Sequence, residues 1–137
     1  MKVWTIPFLL LLLLLGCTRS SKDPKEVAKF FLGEVPQSIE LVRAEFRYVR
    51  HPDAPRYGFI DMRMDERDYA AIVRDHGMSA VNPSRLVSAK WPKDLAPVQL
   101  TNAKVFANPL IVMICESGSN RVVVLSVAQF PGWYGKP

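Results

Sequence analysis

The sequence predicts a single α+β domain in which a mainly antiparallel sheet of two hairpins carries two short helices on one face. Three observations support this class. Hydrophobicity alternates with a period of two over 39–49 and again over 58–64. Two longer apolar runs flank the turn sequence Ser117-Gly118-Ser119-Asn120. Two further stretches, 23–33 and 65–77, open on Asp and close on Gly, as helices do.

The first helix begins with Asp23 as cap, Pro24 in the first helical position and Glu26 completing a capping-box-like pair. Val27, Phe30 and Phe31 form its apolar stripe, Gly33 ends it, and Pro36 prevents continuation.

In the first hairpin, Val42, Ala44, Phe46 and Tyr48 meet Gly58, Ile60, Met62 and Met64 on one buried face. Charge selects the register. Tyr48 opposite Ile60 sets Arg47 against Asp61, Glu45 against Arg63 and Val49 against Phe59. A slide of two residues opposes like charges instead. The expected loop is therefore Pro52 to Arg56.

Asp65 caps the second helix, with Asp68 three residues on, and Met64 and Tyr69 are placed for a hydrophobic staple. Tyr69, Ile72, Val73 and His76 share a face. Gly77 ends the helix, and Met78 folds back onto its last turn.

The segment 79–102 is broken by Pro83, Pro92 and Pro97. It is read as irregular, with a short strand at Leu86–Lys90 and Trp91 pinning it to the body. The last hairpin joins Leu110–Glu116 to Arg121–Phe130 through a type II′ turn at Gly118-Ser119. That turn sets Glu116 opposite Arg121. Both faces of these strands are apolar, which places them in the middle of a sheet covered on both sides or at a partner interface.

The N-terminus carries an address. Lys2 precedes an apolar run, Phe8 to Leu15, too short for the roughly 20 residues of a spanning helix. It closes on Leu14-Leu15-Gly16-Cys17, which resembles the lipobox of bacterial lipoproteins. Residues 1–16 would then be a signal peptide, removed after an acyl-glycerol unit is attached to the Cys17 thiol. Thr18 takes the place of the aspartate that retains such proteins at the inner membrane of Gram-negative cells. The resemblance therefore implies the outer membrane, facing the periplasm. Residues 17–22 are expected as a lipidated tether, whose five residues after the cysteine reach at most roughly 17 Å, and 23–137 as the domain. Lys22, Lys25 and Lys29 lie near the attachment and favour anionic headgroups. The phrase Asp68 to Met78, with Trp91-Pro92, also resembles small bacterial envelope proteins and brings no function with it.

Without the signal the chain has 121 residues, enough for one core, and loss of Lys2 takes the net charge from +5 to about +4. The charges alternate in sign, as in Arg43, Glu45, Arg47 and Asp61, Arg63, Asp65. No uniform basic run with interleaved aromatics exists, so nucleic acid is not an expected partner. Cys115 is left without a second thiol, which excludes a disulfide framework.

No residue pattern announces chemistry. His51 and His76 have neither H-E-x-x-H nor zinc spacing, so no metal or cofactor is expected. His76 in a last helical turn suits the dipole. Cys115 lies mid-strand and reads as an inert thiol. Asp61, Asp65, Glu66 and Asp68 form the densest carboxylate group, but cross-strand pairing and helix capping account for them. The leading expectation is a non-enzymatic, membrane-tethered protein-interaction domain, in a specific version an immunity-type inhibitor of an envelope toxin. Its surface would use Arg50, Arg56 and Tyr57 at a hairpin tip, with Trp91, Trp133 and Tyr134. The alternatives are a small hydrolase or ligand-binding protein using Asp61, Asp65 and His51 or His76, and an envelope scaffold subunit.

Overall fold

The computed structural model describes residues 18–49, 57–86 and 91–127. Its frame is one seven-stranded antiparallel sheet of order β1-β2-β3-β7-β6-β5-β4. The strands are β1 (Thr18–Ser21), β2 (Glu40–Val49), β3 (Tyr57–Arg63), β4 (Ser79–Val81), β5 (Lys104–Ala107), β6 (Ile111–Cys115) and β7 (Arg121–Ser126). Helix α1 (Pro24–Leu32) joins β1 to β2, and α2 (Glu66–Asp75) carries the chain from β3 to the far edge at β4. From there β5, β6 and β7 step back until β7 pairs with β3, bringing Asp61 opposite Val123.

Both helix ends follow from local chemistry. The Asp23 carboxylate accepts from the Lys25 N–H and Pro24 follows it, as expected. The capping box closes through Ser21 rather than directly. Ser21 Oγ donates to Glu26 Oε2 at 2.6 Å and accepts from Asp23 N at 3.2 Å. Strand β1 and helix α1 are thereby tied together. At α2 the Asp65 carboxylate accepts from Asp68 N at 2.9 Å. The far end is a Schellman motif. Gly77 takes φ +59, its N–H reaches Arg74 O, and the Met78 N–H reaches Val73 O at 2.9 Å. Met78 then buries its side chain in the core.

The sheet has a core on each side. Val27, Ala28 and Leu32 of α1 and Ile72 of α2 cover Ile60, Met62, Ile111, Met113, Val122 and Val124. The other face packs Phe59, Val112, Ile114, Val123 and Leu125 under Leu86, Trp91, Leu95, Val98 and Leu100 of the irregular segment. The last hairpin is thus sandwiched, as its two apolar faces require. The first hairpin departs from the expected single buried face, because β3 is buried on both sides from Gly58 to Met62.

Several expectations are corrected. The register of β2 against β3 puts Arg43 opposite Asp61, Glu40 opposite Arg63 and Glu45 opposite Phe59. That is four residues away from the register chosen by charge, and five at Arg63, beyond the bulge between Leu41 and Arg43. Arg43 and Arg47 are four apart, so a slide of four restores an arginine opposite Asp61, and the bulge brings Glu40 opposite Arg63, which leaves as many opposite-charge pairs as in the expected register. A bulge between Leu41 and Arg43 turns Val42 outward, leaving it 47% exposed. Phe30 is 50% exposed instead of lying in the apolar stripe, and Ala28 and Leu32 are buried in its place. Leu86 ends a 3-10 turn, Pro83–Leu86, rather than starting a strand, and 87–90 lie outside the described residues. Ser79–Val81, read as part of the irregular segment, is strand β4, and β5 had no sequence reading. Thr18–Ser21, expected as a free tether, is strand β1, paired with β2 from Thr18–Val49 to Ser21–Phe46.

Gly58 has a packing role. A Cβ on it would stand 2.7 Å from Phe31 Cζ and 3.0 Å from the Glu45 carbonyl oxygen. Its bare backbone lets the Phe31 ring lie on the sheet, edge-on to Phe46 at 5.8 Å between centroids.

Candidate functional site

The strongest polar construction joins the loop-covered face to the segment over it. Arg121 opens β7 and Asp61 lies within β3, and alternation puts both on the side of Phe59 and Leu125. The guanidinium meets Asp61 as a fork, Nε to Oδ1 and Nη2 to Oδ2, both at 3.1 Å. Nη1 donates to Glu116 Oε1 at 2.9 Å and to the Pro97 carbonyl at 2.8 Å, and Nη2 donates to the Ala96 carbonyl at 2.9 Å. Those bonds use all five N–H groups of the side chain. Arg63, directly across from Arg121, would repel it, but its Nη1 also donates to Asp61 Oδ1 at 3.2 Å. Burial works against the Arg121 charge, and the hydrogen bonds and attraction of Asp61 and Glu116 outweigh it, so its pKa is held above the ordinary value.

This network is a clamp. It fixes Ala96 and Pro97 to the sheet, and Glu116 Oε1 adds the Gln99 N–H at 3.0 Å. Arg43 contributes a further bond from β2, Nη1 to the Asp94 carbonyl at 2.8 Å. The pairing of Glu116 with Arg121 across the β6–β7 turn is as the sequence indicates, with Gly118 at φ +72 in that turn. Asp61 is not paired with Arg47 as expected. Arg47 bonds Glu45 on its own strand, Nε to Oε1 at 2.8 Å. Sequence reasoning missed the clamp because its partners lie 60 residues apart. The available signal was an arginine opening an otherwise apolar strand.

The other titratable candidates are dispersed. Asp65 caps α2, Glu66 pairs with Lys104 at 3.3 Å, and Asp68 accepts from Ser38 Oγ at 2.8 Å. His76 Nε2 lies 3.0 Å from the Leu32 carbonyl, the open end of α1. A carbonyl only accepts, so this nitrogen carries the hydrogen. The Asn108 amide donates to the His76 carbonyl at 3.1 Å, fastening the same corner to the β5–β6 turn. Asp61 is on the loop-covered face and His76 on the helical face, with the sheet between them.

A groove of about 470 Å³ lies where α2 begins, beside the β6–β7 turn. Lys104, Glu66 and Tyr69 line it, and the Lys104 ammonium donates to Glu66 at 3.3 Å and to the Tyr69 phenol oxygen at 3.4 Å. Burial raises the pKa of the Tyr69 phenol, and the bond from Lys104 opposes that. Cys115 also borders the groove, but burial pushes its thiol up to about 12, far from a reactive thiolate at neutral pH. Among the described residues, no three His, Cys, Asp or Glu side chains come together to hold a metal.

Of the interaction residues named from sequence, Arg50, Arg56, Trp133 and Tyr134 lie outside the described residues, as do the lipidation site Cys17 and His51. Trp91 is half-buried against the second core, pinning the irregular segment. Tyr57 stands opposite Arg47, and its phenol pKa is raised, first by burial and then by Glu45. Among the described residues no helix is long and apolar enough to cross a membrane. No protein-family model matches this chain, and comparison with curated proteins and with solved structures finds no match.

Proposed function

We propose that this chain is a lipid-anchored protein of the bacterial envelope, facing the periplasm, whose body is a non-enzymatic protein-interaction domain. One observation carries the reading. The residue after the lipobox-like cysteine, Thr18, already belongs to the sheet, paired with Val49. A lipid on Cys17 would therefore hold a rigid body directly at a membrane surface. The apolar run before the cysteine is too short to anchor the chain as a helix. The polar groups that resemble catalytic parts in the sequence are engaged instead in holding the fold. Asp61 serves the loop clamp, Asp65 the start of α2 and His76 the end of α1. A small rigid body of this kind suits an immunity-type inhibitor that meets a toxin at the envelope.

Cys17→Ser tests the anchor. Lipid labelling and membrane retention are expected in the wild type and lost in the variant. Retention and labelling unchanged in Cys17→Ser would overturn the reading. The interaction role is tested by capture of a partner from detergent-solubilised envelope with the lipidated chain. Failure to recover any partner counts against it.

A further inference from the structure

The pairing of β1 gives the body a direction. Strands β1 and β2 are antiparallel, so Thr18 lies at the Val49 end of the sheet. The opposite end carries Arg63, Arg121 and the β6–β7 turn. Seven residues of β3 separate the two ends, roughly 20 Å at strand rise. Cys17 directly precedes Thr18, and consecutive Cα atoms are about 3.8 Å apart. An acyl group there would be attached one residue from that end of the sheet.

That corner bears an unusual exposed group. Phe30 of α1 is half-exposed, although its ring lies 4.2 Å from that of Phe46. Phe46 is the cross-strand partner of Ser21, and Ser21 is bonded to Glu26 one helical turn before Phe30. Exposed Lys22 follows β1, and exposed Lys25 and Lys29 share α1 with Phe30. An aromatic side chain flanked by cations beside a lipid attachment matches the chemistry of a headgroup layer. The ring enters the interface, and the cations meet anionic phosphate groups.

We propose that this corner rests on an anionic lipid surface, with Phe30 in the headgroup layer. The β6–β7 turn and the groove beside it then point away from the membrane. The proposal rests on the lipid-anchor reading above and adds one fixed orientation to it.

The test uses the full lipidated protein in phosphatidylglycerol–phosphatidylethanolamine vesicles. A nitroxide is placed through Lys29→Cys, next to Phe30, or through Ser117→Cys, in the distal turn. Cys115 is buried with its thiol pushed up to about 12 and does not compete for the label. The label at 29 is expected to collide several-fold less often with an aqueous nickel chelate than the label at 117. Adding Phe30→Ser should bring position 29 to the value at 117 while membrane retention stays unchanged. Equal accessibility at the two positions in retained protein overturns the orientation alone and leaves the corner free for a protein partner. Protection at 29 that survives Phe30→Ser overturns the role of Phe30. Recovery of the unsubstituted chain in the soluble fraction removes the anchor, and the orientation falls with it.

Discussion

Arg121 and Asp61, 60 residues apart, meet in a two-bond fork at 3.1 Å with only 8% and 6% of their surfaces exposed. A buried charge pair of this kind is expensive to desolvate and most damaging when half of it is removed. The remaining Arg121 bonds run to Glu116 and to the Ala96 and Pro97 carbonyls, so the pair also decides whether the segment after Trp91 stays on the sheet.

Arg121→Met should therefore destabilise the fold by about 3 kcal/mol, since Asp61 and Glu116 lose their main partner. Urea unfolding measures this. Limited proteolysis should show faster cleavage between Trp91 and Asn102. The double variant with Asp61→Leu should recover part of the stability and none of the protease resistance. Wild-type protection in the double variant would show that the two backbone carbonyls do not need the guanidinium.

Cys115 sets an alkaline limit. Its folded thiol is raised to about 12 by burial, above the ordinary value near 9. The unfolded chain loses this proton first as pH rises, so the group's contribution is complete below pH 9 and is lost between about 9 and 12. Over that window it adds a downward slope of up to about 1.4 kcal/mol per pH unit. Tyr57 and Tyr69, also raised, act in the same direction. Unfolding curves across this range should be flatter for Cys115→Ala than for the wild type. The native thiol should also react with a maleimide at pH 8 far more slowly than in urea.

His76 joins the ends of the two helices through Leu32. His76→Ala should cost about 1 kcal/mol, the usual contribution of one such bond. Hydrogen exchange should rise in the last turn of α1, although the substituted residue caps α2. An effect confined to α2 would refute the bridge.

Gly58→Ala forces a methyl group against the Phe31 ring and should destabilise by about 1–3 kcal/mol. Phe31→Leu in the same chain should relieve part of that strain. A double-mutant cycle would then show coupling between two residues on different elements.

Local chemistry was legible in the sequence. Asp23, Pro24 and Gly33 bound α1, and Asp65, Gly77 and Met78 bound α2, because caps and left-handed residues act within a few positions. The double-sided apolar pattern of Ile111 to Cys115 located the centre of the sheet. The pairing of Glu116 with Arg121 followed from a short turn. These features depend on neighbours along the chain, whose separation the covalent backbone fixes.

What the sequence left open was decided by contacts between distant segments. The β2–β3 register escaped because Arg43 and Arg47 stand four residues apart and a bulge brings Glu40 opposite Arg63, so opposite charges meet in either register. Thr18–Ser21 became a strand only because the edge of β2 was there to receive it, and Lys104–Ala107 only because Val112 to Cys115 presented theirs. Asp61 found Arg121 rather than Arg47 because β7 inserts beside β3 after a circuit through α2 and three strands. Propensity and capping are properties of a short window. Strand neighbours and buried ion pairs are chosen by the whole chain closing on itself, which no local window contains.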